Sequence, residues 1–257
     1  MSFNAPKKRF GQNFLHDGNI INKIIAVIRP EAHDHIVEIG PGRGAITEAL
    51  SKQVERIDVI EIDQELAAAL EVRRWNCDIG VHRGDALKFD FRTLPLSGEK
   101  LRLVGNLPYN ISTPLLFHFL ETAQLFQDMH VMLQKEVIER MVAVPGSKQY
   151  GRLTVMLAAR CEVEQLFNIK PNSFIPPPKV DSSFARLIPL AEPLVSAALY
   201  PAYKQVVTQA FGMRRKTLSN ALKGTLDADT IDSVGIDPGL RAEVLSPAEF
   251  LLLAEQL

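Results

Sequence analysis

The chain is poor in cysteine: of 257 residues only Cys77 and Cys161 carry a thiol, far apart and outside any Cys-x-x-Cys or Cys/His ligand spacing. That excludes a disulfide framework and a zinc site, and leaves two buried structural thiols as the expectation. No apolar run approaches the roughly 20 residues that cross a bilayer, and the start, MSFNAPKKRF, has no apolar signal core. A cytoplasmic protein with no membrane partner is therefore expected. The six histidines show neither metal nor triad spacing, and no dimer stripe is visible, so a metal-free monomer is expected. At 46% hydrophobic and 23% charged residues, the composition excludes disorder, collagen and coiled coil.

An excess of either charge is also missing, with 29 basic residues against 30 acidic ones, which taken alone argues against a nucleic-acid partner. The average conceals segregation. Residues 1–30 hold five bases and one acid, a net of +4. Residues 200–224 hold five bases and no acid, +5, and residues 225–257 hold seven acids against Arg241, −6. Such blocks are commonly solvated faces, but they are also surfaces that a polyanion can use.

What is present is an alternation. After a basic arm, Asp17 can cap a helix carrying Ile20, Ile21, Ile24, Ile25 and Ile28 at helical spacing, ended by Pro30. Strand-like runs at 35–39, 57–62, 80–82, 101–104 and 129–133 then alternate with helical runs at 45–52, 64–75, 114–121 and 136–143. This pattern predicts a doubly wound, mostly parallel α/β sheet. Residues 145–150 read as a mobile loop and 153–159 as a helix. Two close strand-like runs, 163–169 and 183–187, predict an antiparallel hairpin at the sheet edge. From about residue 188 the pattern is helical only (197–211, 216–223, 228–234, 247–255), so an α/β domain over 1–188 and a small all-helical domain over 189–257 are expected.

The segment Glu38-Ile39-Gly40-Pro41-Gly42-Arg43-Gly44-Ala45 runs from a strand through a glycine-rich turn into a helix. It brings bare backbone to the carboxyl edge of the sheet, where such folds bind ligands. Read literally, Gly40, Gly42 and Ala45 also fit a dinucleotide pattern, with Glu61 placed for a ribose. The glycines therefore leave a nicotinamide nucleotide and other nucleoside cofactors open. Glu38 tilts the choice, because a carboxylate there can face the ammonium of an amino-acid moiety and a pyrophosphate has no use for one. Glu61 can accept from ribose hydroxyls and Asp85 from an adenine amine. Either acid alone reads as a surface charge or a helix cap; at successive strand ends they share one rim.

The turn Asn106-Leu107-Pro108-Tyr109 follows the fourth strand. An adenine exocyclic amine is a poor nucleophile because its lone pair is delocalised into the ring, so a site that methylates it must hold it by its hydrogens. The Asn106 side-chain oxygen and the Leu107 carbonyl are two such acceptors. Pro108 stiffens the turn, and Tyr109 offers a ring for an extruded base to stack on, worth about 1–3 kcal/mol. Positioning and electrostatics then do most of the work, without a strong general base. As a bare tetrapeptide this is an ordinary turn; its place downstream of the glycine loop and the two acids makes it informative.

These residues resemble the ribosomal RNA adenine-N6,N6-dimethyltransferase family, in particular its bacterial branch acting on two adjacent adenines near the 3′ end of 16S ribosomal RNA. The likeness extends over Arg9-Phe10-Gly11-Gln12-Asn13-Phe14-Leu15, the loop from Glu38 to Thr47, Glu61-Ile62-Asp63, Gly84-Asp85 and the run from Asn106 to Pro114. It continues through the run from Asn172 to Ser182 and from Phe211 to Leu218. The resemblance implies a Rossmann-like class I methyltransferase domain. It implies that Asn13, Leu15, Gly40, Glu61, Asp85 and Asn106 contact S-adenosylmethionine, with Gln12, Glu38 and Gly42 close by, and that the residues from Asn106 to Tyr109 frame the target amine. It implies as substrate the 16S ribosomal RNA of the immature 30S subunit. Phe174 is expected to close over the flipped base opposite Tyr109, and Arg214, Arg215 and Lys216 to touch RNA. A relative acting on large-subunit RNA shares the catalytic half. A nicotinamide-dependent oxidoreductase leaves the Asn-Leu-Pro-Tyr turn unexplained, whereas a ribosome-assembly role is compatible with methylation.

Overall fold

The computed structural model describes residues 11–95, 100–213 and 215–257; Arg9, Phe10 and Arg214, named above, lie outside them, as does the rest of the basic start. β1 (Phe14–Leu15) leads into α1 (Gly18–Ile28), whose first turn is capped by the Asp17 side chain accepting from the Asn19 and Ile20 N–H groups. Alternation then runs through β2 (His35–Ile39), α2 (Ala45–Leu50), β3 (Arg56–Glu61), α3 (Gln64–Glu71), β4 (Asp78–Arg83), β5 (Leu101–Asn106), α4 (Ser112–Glu121) and β6 (Phe126–Gln134). α5 (Lys135–Met141), α6 (Arg152–Ala158), β7 (Cys161–Ile169), β8 (Phe174–Ile175) and β9 (Ser182–Pro189) follow.

The main sheet has seven strands in the order β4-β3-β2-β5-β6-β9-β7. The first five are parallel, and β9 is antiparallel to β6, with Met129 opposite Leu187 and Gln134 opposite Ser182. All five residues of β2 are buried, as a central strand covered on both faces requires. β4, at one edge, is only half-buried, which is why its apolar signature is weak. The predicted edge pair is present, with β9 lying between β6 and β7. The segment between them is not a plain hairpin loop: β8 pairs antiparallel with β1, Phe14 opposite Ile175 and Leu15 opposite Phe174.

Two boundaries differ from expectation for local reasons. α3 stops at Glu71 rather than near 75, because the Trp75 indole N–H donates to the Leu70 carbonyl at 2.9 Å and takes an acceptor that a longer helix would use. The predicted helix at 216–223 shrinks to α8 (Leu218–Ala221), since Thr217 is extended at its start and Gly224 takes φ +87° beyond its end.

The described residues fall into two compact units. One comprises residues up to Ile138 together with Glu164–Ile188; the other joins Glu139–Val163 to Pro189–Leu257. The second holds α6, α7 (Tyr200–Gly212), α8, α9 (Ala228–Ser233) and α10 (Pro247–Ala254). Residues 139–163, expected from chain order to go with the sheet, group with these helices. Within that unit the Tyr150 hydroxyl donates to the Leu245 carbonyl at 2.7 Å, the Tyr203 hydroxyl to Val155 at 3.3 Å, and the Gly146 N–H to Glu243 at 2.7 Å. Tyr150 and Tyr203 are both fully buried there, so the loop expected to be mobile is bonded at both ends.

Candidate active site

From β2 the chain moves outward through β3 and β4, then returns to lay β5 on the other side of β2. The carboxyl ends of β2 and β5 are therefore a topological switch point, where open α/β sheets bind ligands. Ile39 pairs with Gly105, so Gly40 and Asn106 leave the sheet side by side. A cleft opens there with an empty volume of about 950 Å³, its mouth included, the size of a small-molecule site. Gln12, Asn13, Leu15, Glu38, Gly40, Gly42, Glu61, Asp85 and all four residues from Asn106 to Tyr109 line it.

Close approach explains two of the glycines. Gly42 has φ +57°, and a Cβ on it would stand 3.0 Å from the Phe14 ring. A Cβ on Gly105 would meet Leu107 Cδ2 at 2.8 Å and the Ile39 carbonyl at 3.1 Å. The Phe14 ring fills the space beside Gly42 and carries the Arg43 guanidinium 4.5 Å from its centroid.

The carboxylates of the cleft are held by dipoles. Glu61, almost fully buried at the end of β3, accepts from the Gly42 N–H at 3.1 Å through Oε2 and from the Asp63 N–H at 2.8 Å through Oε1. Burial raises its pKa, the two N–H groups oppose the rise, and the nearby Asp63 charge adds to it. Glu38, 1% exposed and next to last in β2, accepts from the Thr47 hydroxyl at 2.6 Å. Burial pushes its pKa up to about 7, against the Thr47 hydrogen bond and with the help of the Glu61 charge. Asp85, half-buried after β4, accepts from the Leu87 N–H at 3.0 Å.

The opposite wall is a strap made by residues 11–15. Gln12 Nε2 donates to Asp63 Oδ2 at 3.0 Å, Asn13 Nδ2 donates to the Gly11 carbonyl at 3.3 Å, and the pairing of β1 with β8 fixes Phe14 and Leu15. Asn106 Nδ2 donates to the Asn13 carbonyl at 2.9 Å. Since the amide nitrogen is engaged, Oδ1 is the end of Asn106 left to accept. The Leu107 N–H donates to the Met132 carbonyl at 3.1 Å, which ties the turn to β6. Among the described residues, neither Asn106 Oδ1 nor the Leu107 carbonyl receives an internal hydrogen bond. The Tyr109 hydroxyl is hydrogen-bonded to Ser182 Oγ, and burial raises its pKa against that bond.

The ribosomal RNA adenine dimethylase family matches over residues 3–257. The chain belongs to the ribosomal RNA adenine dimethylase family. Ribosomal RNA small subunit methyltransferase A of Pseudomonas aeruginosa is 52% identical over 98% of this chain and 94% of its own length. The protein of the same name from Acidithiobacillus ferrooxidans is 51% identical over 97% and 93%. Among solved structures, a dimethyladenosine transferase from Plasmodium falciparum superposes with a TM-score of 0.80 at 27% identity, covering 93% of this chain and 95% of that one. The 23S rRNA methyltransferase ErmE gives 0.69 at 27% identity over 95% and 99%.

In this adenine dimethylase the cleft assembles every residue expected to meet a cofactor, together with the Asn-Leu-Pro-Tyr turn. Phe174 is the exception. Its ring is 1% exposed, packed in the core with Leu15, Ile24 and Phe184, and does not line the cleft. Pairing with Leu15 turns it inward, and it is Ile175 that is exposed, so the expectation that Phe174 closes over a base is not met in this structure. Arg215 and Lys216 are exposed in the turn between α7 and α8 of the helical unit. Sequence reasoning misses Thr47 and Ser182. Both lie inside matching motif stretches, and the only sequence signal for them is a small hydroxyl residue at a position that topology buries. Among the described residues, no group of three or more His, Cys, Asp or Glu is placed to hold a metal.

Proposed function

We propose that the cleft holds S-adenosylmethionine beside an extruded adenine, and that the protein dimethylates N6 of two adjacent adenines near the 3′ end of 16S ribosomal RNA in the immature 30S subunit. The observation that carries this reading is the pairing of two unoccupied acceptors, Asn106 Oδ1 and the Leu107 carbonyl, with buried acids, Glu38 and Glu61, that lack cationic partners among the described residues of the same cleft. The donor set fits the cofactor. Glu38 suits its ammonium group, Glu61 its ribose hydroxyls and Asp85 its adenine amine, while Gly40 and Gly42 admit its bulk against bare backbone. The cofactor supplies a methyl group on a sulfonium centre.

Within this reading the chain orients and desolvates. Asn106 and Leu107 accept the two N6 hydrogens, so the nitrogen lone pair is turned away from the ring and becomes available for bonding. As the N–CH3 bond forms, the methyl–sulfur bond would break to leave a neutral thioether, and one proton leaves N6, guided to water by neutral acceptors; in the second transfer a single N6 hydrogen remains to be held. Tyr109 stacks on the base. Exposed Arg215 and Lys216 offer phosphate contacts. The protein acts as a monomer in the cytoplasm. The relatives at about half identity are named for the small subunit, which supports 16S over 23S RNA as substrate.

The test is methyl transfer to undermethylated 30S particles and to protein-free 16S RNA, read by mass detection of N6,N6-dimethyladenosine. Asn106→Ala should lower transfer by about 10²–10³-fold, the usual loss for one preorganised partner of a reacting group, with the fold retained and stability lower by about 1 kcal/mol for the lost bond to the Asn13 carbonyl. Near-normal dimethyladenosine from this variant would refute the assigned role.

A further inference from the structure

Tyr109 is held from an unexpected direction. Its ring lines the cleft, but its hydroxyl reaches across to Ser182, 73 residues later in the chain. Ser182 is fully buried and opens β9, opposite Gln134 of β6. The backbone around it is pinned, because the preceding Asp181 carbonyl accepts from the Lys135 N–H at 3.0 Å and the Asp181 carboxylate accepts from Lys170 Nζ at 2.7 Å. The following residue, Ser183, donates from Oγ to the Phe167 carbonyl at 2.9 Å. A stacking platform needs only an aromatic face, and phenylalanine would supply one. A phenol costs desolvation unless its hydroxyl has a partner, and here the partner sits on the antiparallel strand of the sheet, not in the loop that carries the ring.

We propose that Ser182 is a positioning residue for methyl transfer: through the Tyr109 hydroxyl it fixes the plane of the ring on which the target adenine stacks. Tyr109 is bounded at its backbone by Pro108 and at the far end of its side chain by Ser182, so the ring cannot swing about its Cα–Cβ bond. The strand opened by Ser182 thereby sets the angle at which N6 meets Asn106 and Leu107. This inference rests on Tyr109 being the stacking platform.

The experiment uses the full-length protein and 30S particles, with Ser182→Ala, Tyr109→Phe, the double variant, and Tyr109→Ala. Ser182→Ala and Tyr109→Phe should each lower kcat about tenfold, with KM for the particle and Kd for S-adenosylmethionine within twofold of wild type. The double variant should be no worse than either single one. With 2-aminopurine in place of the target adenine, both single variants should leave the bound base more fluorescent, reporting looser stacking; a purely structural role for Ser182 would not move that signal. If Tyr109→Ala is inactive while Ser182→Ala and Tyr109→Phe keep wild-type kcat, the positioning role is overturned and the stacking platform stands. If Tyr109→Ala itself keeps wild-type kcat, the platform falls and the Ser182 role with it. Should Ser182→Ala fail to fold, Tyr109→Phe alone decides, since wild-type kcat there overturns the proposal.

Discussion

On one face of the sheet, the Asp58 carboxylate of β3, whose residue stands opposite Val37 of β2, is 1% exposed and accepts from His35, His82 and Arg56. On the other face, Glu38 of the adjacent β2, the residue after Val37, is equally buried, and its partner among the described residues is the neutral Thr47 hydroxyl, with Glu61 nearby. Burial alone would raise both carboxyls. Hydrogen bonds from two histidines and an arginine hold Asp58 down at about 2, whereas Glu38 rises to about 7. Arg102 repeats the first pattern, bonded to Asp128 at 3.0 and 2.7 Å and to Asp34 at 2.6 Å. Burial would lower its pKa, but the two carboxylates raise it. Acids that are balanced inside the chain hold the fold together. Those left unbalanced at the cleft store a demand for positive charge, which a sulfonium cofactor with an ammonium group meets.

The largest effect is expected at Arg102. Arg102→Met leaves Asp34 and Asp128 buried without their cation, and should cost about 3–5 kcal/mol of stability in urea unfolding at pH 7. A cost well below that would mean Asp34 and Asp128 are no better paired than the acids of the cleft.

The next effect is on pH dependence, and its sign differs between Glu38 and Asp58. Because the Glu38 pKa is raised, its contribution to stability is fully present below the ordinary 4.5 and is lost as pH rises through about 7. Between pH 4 and 8 the cofactor-free protein should therefore lose about 3 kcal/mol relative to Glu38→Gln. Asp58 has the opposite slope, since its contribution, about 2 kcal/mol, is present above pH 4 and vanishes as pH falls through about 2. Stability curves of the two Gln and Asn variants against wild type check both signs.

Glu61→Gln should weaken S-adenosylmethionine binding about tenfold, or about 1.4 kcal/mol in calorimetry, and should also cost about 1–3 kcal/mol in urea unfolding, because the amide keeps one acceptor oxygen and sets its NH2 against either the Gly42 or the Asp63 N–H. The smallest change sharpens the contrast most. Thr47→Val removes the hydroxyl that opposes the rise at Glu38, a bond worth about 1 kcal/mol, so the pH at which cofactor affinity rises should move above 7. A midpoint that stays put would separate Glu38 from cofactor binding.

Much of this site is legible in the order of the residues, because its parts are local. A glycine turn between a strand and a helix, a carboxylate at a strand end, and a proline-stiffened turn after another strand each declare themselves within about ten residues. Gly40, Glu61, Asp85 and Asn106 all reach the one cleft that their strand ends implied. The charge asymmetry of the C-terminal segment is equally legible, and it leaves Arg215 and Lys216 exposed. Trp75 shows where this legibility stops even for a helix end, since one side-chain bond to Leu70 outweighs the apolar spacing.

Backbone sterics and residue periodicity over short spans set the alternation from β2 to β6, the turn at Gly42 and the chemical types of the groups at the rim, so these are written in the amino-acid order, whereas the short strands β1 and β8 are not. Tertiary structure alone decided which acids were neutralised and which were left wanting, because pairing joins residues as distant as Arg102 and Asp34. It also turned Phe174 into the core, bonded Asn106 to Asn13 across 93 residues, and put Ser182 behind Tyr109. A hydrogen bond depends on distance in space, and a one-dimensional pattern does not encode which surfaces of a folded sheet come to face each other.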